Sequence, residues 1–185
     1  RVAEDDSIGT TLVLARRDGS ESRELPIARP HIPAGVSGHE AWIKHKPEFI
    51  VSLRRADMPY DDGERAGNLV HYRIGDSRPT VVTHAPSTYY GHVSTSCCGQ
   101  YWICDGWALD GSKGRVTPDI MIGSIASGKS AYLCSVHGTM TRYEPGHCHP
   151  YMTADNRHVI FGSTQSGIPQ VYAARIPDGF LAALD

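Results

Sequence analysis

Three stretches decide the fold: Gly38-His39-Glu40-Ala41-Trp42 leading to Phe49-Ile50-Val51-Ser52, Gly91-His92-Val93-Ser94 leading to Trp102-Ile103-Cys104-Asp105, and His149-Pro150-Tyr151-Met152 leading to Val159-Ile160-Phe161-Gly162. In each, a histidine is followed eleven positions later by an isoleucine. Between the two lies a turn: Lys44-His45-Lys46-Pro47, Cys97-Cys98-Gly99-Gln100 and Ala154-Asp155-Asn156-Arg157. Each copy therefore reads as strand, tight turn, strand.

A second alignable unit accompanies the first. Leu12-Val13-Leu14-Ala15, Leu69-Val70-His71-Tyr72, Ile120-Met121-Ile122-Gly123 and Val171-Tyr172-Ala173-Ala174 are short apolar runs with β character. Turns such as Arg17-Asp18-Gly19-Ser20 and Gly75-Asp76-Ser77 follow them, and in the first three copies a further apolar strand, as at Thr80-Val81-Val82. Four short strands recurring about every fifty residues are the signature of β-propeller blades, whose sheets bury their faces only against neighbouring sheets. The predicted fold class is all-β: antiparallel four-stranded blades over 1–185, anchored near 38–83, 91–134 and 146–176. No amphipathic helix pattern competes. The count is a partial blade, two whole blades and most of a third, fewer than the roughly four to eight that close a ring. The chain is accordingly expected to be part of a longer propeller with missing N-terminal blades, self-association of two copies being the other route to closure.

Composition excludes several function classes. Hydrophobic content of 40% contains no apolar run near the roughly 20 residues of a membrane-spanning helix, so no membrane partner is expected. Formal net charge is −2 with no long Lys or Arg run, which removes the electrostatic footprint of a nucleic-acid binder. The five cysteines, Cys97, Cys98, Cys104, Cys134 and Cys148, are odd in number and form no C-x-x-C pair. That argues against a disulfide framework and a zinc ribbon, and for a reducing, cytoplasmic location. Cys97 and Cys98 fall in a turn, where a reactive or metal-binding role competes with simple exposure.

Ten histidines are many for 185 residues, and their phase matters more than their number. His39, His92 and His149 occupy equivalent blade positions, which in a propeller lie at one height around the central channel. His147 adds an H-x-H pair with His149; on an extended strand alternate residues face the same side, sending Cys148 to the opposite face and the core. Clustered imidazoles suit Mn²⁺, Fe²⁺, Ni²⁺ or Zn²⁺, and Glu144, three residues before His147, would complete an N/O ligand set. The expected metal ligands are His92, His147, His149 and Glu144. The competing reading makes blade-phase histidines structural, hydrogen-bonded within their own blades. His39 lacks a paired neighbour and is read as free of the metal. His31, His45, His71, His84, His137 and His158 fall in turns or off-phase, where solvation or local bonding explains them, His84 and His137 being the two that would line the site if any did. Trp42, Trp102 and Trp107 read as blade packing before a sugar platform.

Gly38-His39-Glu40-Ala41-Trp42, Gly91-His92-Val93-Ser94 and Glu144-Pro145-Gly146-His147-Cys148-His149-Pro150 with Thr153-Ala154-Asp155-Asn156 together resemble the C-terminal half of the oligogalacturonate lyases, a family of seven-bladed propellers. The resemblance runs from about Leu12 to Ile176. It implies a metal-dependent lyase that cleaves oligogalacturonate, an acidic oligosaccharide from pectin, by β-elimination. It implies a divalent metal, Mn²⁺ in the family, held by three histidines and a glutamine. The histidines carry over to His92, His147 and His149; where the family has Gln, this sequence has Glu144, which adds a negative charge beside a substrate carboxylate. For this chemistry His39 is the expected catalytic base, in phase with the ligands yet outside their set. Arg54, Arg55 and Arg142 are the candidates to clamp further substrate carboxylates. The strand, Asp-Asn turn, Val-Ile-Phe pattern is also shared with TolB-like propellers, which implies a second reading as a binding module without catalytic activity.

Overall fold

A computed structural model describes residues 12–27, 35–54, 69–83, 88–108, 118–136 and 147–185. The chain is all-β, with one turn of 3₁₀ helix among the described residues, at Ala182–Leu184. Strands β1 (Val13–Ala15) and β2 (Ser22–Glu24) pair as a first, two-stranded sheet. Strands β3 (Gly35–Trp42), β4 (Glu48–Arg54), β5 (Leu69–Arg73) and β6 (Thr80–Thr83) form a four-stranded antiparallel sheet, as do β7 (Thr88–Thr95), β8 (Tyr101–Ala108), β9 (Asp119–Ser124) and β10 (Ser130–Ser135). Strands β11 (Tyr151–Met152), β12 (His158–Ser163) and β13 (Gln170–Arg175) form the last, three-stranded among the described residues. Each sheet runs in chain order, the arrangement of propeller blades.

The repeat seen in the sequence is a repeat of hydrogen-bond register. Ala41 lies opposite Ile50, Ser94 opposite Ile103 and Tyr151 opposite Ile160. The connecting turns close identically: the N–H groups of Ile43, Ser96 and Thr153 donate to the carbonyls of Glu48, Tyr101 and His158 at 2.8, 2.9 and 2.9 Å. One detail differs from expectation. The second strand of the first sheet, Ser22-Arg23-Glu24, is exposed and polar, and the apolar residues that pack, Leu25 and Ile27, follow it. A strand this short at a sheet edge gains its burial from the chain that leaves it.

Packing between the sheets explains why the second strands carry unbroken apolar runs. Along β4, Phe49, Val51 and Leu53 face the first sheet with Leu25 and Ile27, whereas Ile50 faces the next sheet with Trp102 and Cys104. Along β8, Tyr101 and Ile103 turn the other way, onto Val159 and Phe161 of the last sheet and Cys148 just before it. Side chains alternate across a strand, so a strand buried on both faces needs apolar residues at every position. The fit is close: a Cβ on Gly123 would stand 2.3 Å from the fully buried Trp102 ring. Trp102 is thus packing, and Trp42, half exposed, sits edge-on against Phe49; the Trp107 side chain lies outside the described residues.

Polar contacts tie the inner strands together. Ser52 Oγ donates to the Gly91 carbonyl at 3.0 Å, Thr95 Oγ1 to the Trp42 carbonyl at 2.6 Å and Ser94 Oγ to the Pro150 carbonyl at 2.7 Å. These bonds hold the innermost segments of successive blades side by side, which is what lets equivalent positions converge. Among the described residues no helix is long and apolar enough to cross a membrane.

Candidate metal centre

Three blades deliver one imidazole cluster. The His39 and His92 ring centroids are 4.4 Å apart, His92 and His149 3.9 Å, His92 and His147 5.0 Å, and His147 and His149 5.8 Å. Ring nitrogens of His92, His147 and His149 all lie within 4.8 Å of one another. His39 stands just outside that set, 6.4 Å from His149 between centroids. Its ring packs against His92, because the two share a blade phase and sit on adjacent inner strands.

Local backbone irregularities aim these side chains. The β3–β4 register shifts between Val36 and Glu40, and the β7–β8 register between Tyr90 and Val93, so His39 and His92 each occupy a β-bulge. A bulge bends its strand and redirects the side chain at the irregular residue. In the third blade the expected extended strand is absent, for residues 147–150 are not in a strand and His149 has φ +40°. The H-x-H pair therefore reaches one site through a left-handed turn of the backbone rather than through strand alternation. Cys148 does point into the core, 1% exposed, and burial pushes its thiol up to about 12, with the Asp105 charge adding to the effect.

One repeat position anchors all three segments, and its chemistry differs in each blade. Ser52 holds the Gly91 backbone. Its equivalent Asp105 is fully buried; one carboxylate oxygen accepts the His92 backbone N–H at 2.5 Å and the other meets His92 Nδ1 at 2.7 Å. A carboxylate only accepts, so Nδ1 carries the proton and Nε2 keeps its lone pair for the cluster. The third equivalent is Gly162, whose N–H donates to the Cys148 carbonyl at 2.8 Å; a Cβ there would lie 2.9 Å from the His147 carbonyl oxygen. Only glycine lets the histidine segment approach β12 so closely. Asp105 was missed as a functional residue, although a charged side chain ending the buried run Tyr101-Trp102-Ile103-Cys104 is itself a signal, since a buried carboxylate requires donors.

Electrostatics favour neutral rings at His39 and His149. Burial, then the neighbouring His92 and the other histidines, hold His39 below the ordinary histidine value of 6.5 despite the opposing pull of Asp105. Burial and His92 lower His149 in the same way. A lowered folded-state value means the unfolded chain binds more protons, so the stability these two histidines contribute is present above pH 6.5 and is lost as pH falls from there through their folded values. Thermal melts of the metal-free chain are expected to show Tm falling as pH drops below about 6.5, and His39→Ala should flatten that slope. A Tm that rises on acidification over the same interval would contradict the neutral cluster.

Of the other expected site residues, Glu144, Arg55 and Arg142 lie outside the described residues, and of Arg54 only the backbone at the end of β4 is described. His71 pairs with Glu48 at 3.2 Å on the sheet, as expected of a locally bonded histidine, and His45 lies exposed in a turn. His31, His84 and His137 lie outside the described residues.

No family model matches the chain. Among curated proteins it is similar to an oligogalacturonate lyase of Dickeya dadantii (strain 3937), 23% identical over 182 residues, covering 94% of this chain. The chain spans 45% of that relative's length. Among solved structures it resembles an oligogalacturonate lyase in complex with manganese, with TM-score 0.66 and 17% identity over 95% of this chain and 44% of the other. It also resembles TolB from Acinetobacter baumannii, with TM-score 0.63 and 16% identity over 91% of this chain and 36% of the other. These likenesses establish the propeller fold.

Proposed function

We propose that this chain belongs to a metal-dependent polysaccharide lyase that cleaves oligogalacturonate by β-elimination, with His92, His147 and His149 as metal ligands and His39 as the base. The observation that carries the reading is the convergence of four imidazoles from three successive blades, one of them tautomer-fixed by a buried carboxylate. The donor set fits a divalent transition ion. Imidazole nitrogens that would share one ion at about 2.1 Å each must lie less than about 4.2 Å apart, so the three nitrogens, already within 4.8 Å of one another, would have to draw together by side-chain rotation to hold it. Manganese is the ion we assign, on the resemblance and on the manganese complex of the structural neighbour; Ni²⁺ or Zn²⁺ suits the same rings. Glu144 is proposed as a further ligand, and Arg54, Arg55 and Arg142 as the cations facing substrate carboxylates.

When bound, such an ion acts as a Lewis acid toward the uronate carboxylate and acidifies the neighbouring C5 proton. The protein's own part is to hold a neutral base beside it. His39, kept uncharged by burial and by His92, takes the C5 proton on a ring nitrogen. The C5–H electrons form the C4–C5 double bond, the C4–O4 bond breaks, and O4 gains a proton from solvent. The charge of an anionic substrate would be met by the ion and the arginines rather than by a basic surface, in keeping with the net charge of −2. All five thiols are free, which supports the proposed reducing, cytoplasmic location.

The likeness to TolB supports a second reading, a binding module whose histidines are structural. Metal content and product absorbance separate the two. The purified protein, supplied with Mn²⁺ and oligogalacturonate, is expected to retain about one equivalent of metal and to yield an unsaturated product absorbing in the near ultraviolet. A metal-free, fully folded protein that leaves the substrate unchanged would favour the binding module.

A further inference from the structure

We infer that Ser94 is a positioning residue for the metal centre proposed above, the group that fixes the His147 and His149 pair relative to His92 across a blade boundary; the inference rests on that reading of the cluster. The three rings come from two blades, His92 from β7 and the pair from the segment that leads into β11. Residues 147–150 are not in a strand, so individual contacts rather than a sheet ladder must place them. From their own blade, the Gly162 N–H donates to the Cys148 carbonyl at 2.8 Å, and the Cys148 side chain is buried. From the neighbouring blade, Ser94 Oγ donates to the Pro150 carbonyl at 2.7 Å. Pro150 is buried and Ser94 half-buried, so water does not readily replace this bond. Ser94 stands two residues after His92 on the same strand, and Pro150 directly follows His149. One bond therefore joins the strand of one ligand to the turn that carries the other two.

The turn needs such a restraint. His149 has φ +40°, in the left-handed region that disfavours residues with a Cβ. It also precedes Pro150, and the proline ring drives the residue before it toward extended backbone. A conformation disfavoured on both counts persists only where the surroundings hold it. The Gly162 bond and the buried Cys148 side chain hold the chain before His149, and Ser94 holds it after. Released at Pro150, His149 relaxes toward extended backbone and carries its ring away from His92, from which it now stands 3.9 Å between centroids. His92 itself stays in place, because Asp105 binds both its backbone N–H and its ring. The next residue along β7 supplies a matched contrast. Thr95 Oγ1 donates to the Trp42 carbonyl of the preceding blade at 2.6 Å, a bond of the same kind that touches neither His147 nor His149.

The test compares the full chain with its Ser94→Ala, Ser94→Thr and Thr95→Ala variants. Two signals are read: Co²⁺ affinity, by titration of the metal-free protein, and, without metal, the nuclear Overhauser contact between the His92 and His149 rings in histidine-labelled protein. Ser94→Ala is expected to weaken Co²⁺ binding about 2- to 10-fold, the factor that one hydrogen bond supplies, and to weaken the ring contact with it. Ser94→Thr keeps a hydroxyl at the same position and should restore both signals. Thr95→Ala also gives up a blade-to-blade hydrogen bond, yet both signals should stay at the level of the unaltered chain. If the unaltered chain binds Co²⁺ and Ser94→Ala keeps both signals, or Thr95→Ala loses them equally, Ser94 positions nothing and the inference is overturned while the metal reading stands. If the unaltered chain binds no Co²⁺, the metal reading fails and the ring contact decides alone: Ser94 positions the imidazole pair if Ser94→Ala loses the contact and Ser94→Thr regains it, and otherwise does not.

Discussion

Replacing His39 with alanine is expected to lower the rate of oligogalacturonate elimination by about 10²- to 10⁴-fold, the usual contribution of a positioned base, while bound metal stays in place. The separation follows from geometry. The His39 ring packs 4.4 Å from His92 between centroids, close enough to act on a substrate atom held at the cluster, but it is absent from the set of nitrogens that lie within 4.8 Å of one another. Its neutral state is imposed by burial and by its neighbours, so in the active protein the acid limb of the rate profile should have its midpoint below 6.5. His147→Ala provides the contrast: on the proposed assignment it removes one of three ligands and should lose metal and activity together. Metal stoichiometry by mass spectrometry, read beside near-ultraviolet product absorbance, distinguishes the roles. A His39 variant that releases metal belongs in the coordination shell, and one that keeps full activity is not the base.

Asp105→Asn is expected to weaken metal binding by about 10- to 100-fold with little change in fold, the range found when outer hydrogen-bond partners of metal-ligating histidines are altered. The two side chains are nearly isosteric, so the packing around this fully buried position survives. Hydrogen bonding is reversed. If the remaining amide oxygen keeps the His92 backbone N–H, the amide nitrogen faces Nδ1 and must donate to it. The imidazole proton then moves to Nε2, the nitrogen that should face the ion. Titration of the metal-free protein with Co²⁺ or Mn²⁺, alongside a thermal melt without metal, reads affinity and stability separately. Unchanged affinity would show that His92 binds through Nδ1 or binds no metal at all.

Much of this architecture is legible along the chain. The eleven-residue interval from His39, His92 and His149 to Ile50, Ile103 and Ile160 corresponds to equal strand pairing in three blades, because a fixed turn between two antiparallel strands fixes which residues face each other. The convergence of the three histidines follows from that phase, and the core position of Cys148 from its place between two of them. The aim of the rings was less visible. Period-two reasoning assigned His147 and His149 to one face of a strand, and there is no strand there. Likewise nothing in the local pattern around His39 marks its irregularity, in which residues 37–39 oppose Ser52 alone across the sheet.

What the sequence by itself determined is therefore the blade repeat, its register and the residues sharing its phase, since these depend on short-range alternation and turn closure that each segment carries within itself. The tertiary structure alone decided the orientation of the site. Ser52, Asp105 and Gly162 stand at one repeat position yet perform three different tasks, a bridge to the next blade, a clamp on one imidazole and a gap for a close-lying backbone. Each task is defined by the atoms of another segment brought alongside, and a side chain's hydrogen-bond partner across a buried interface is fixed only once that interface has closed.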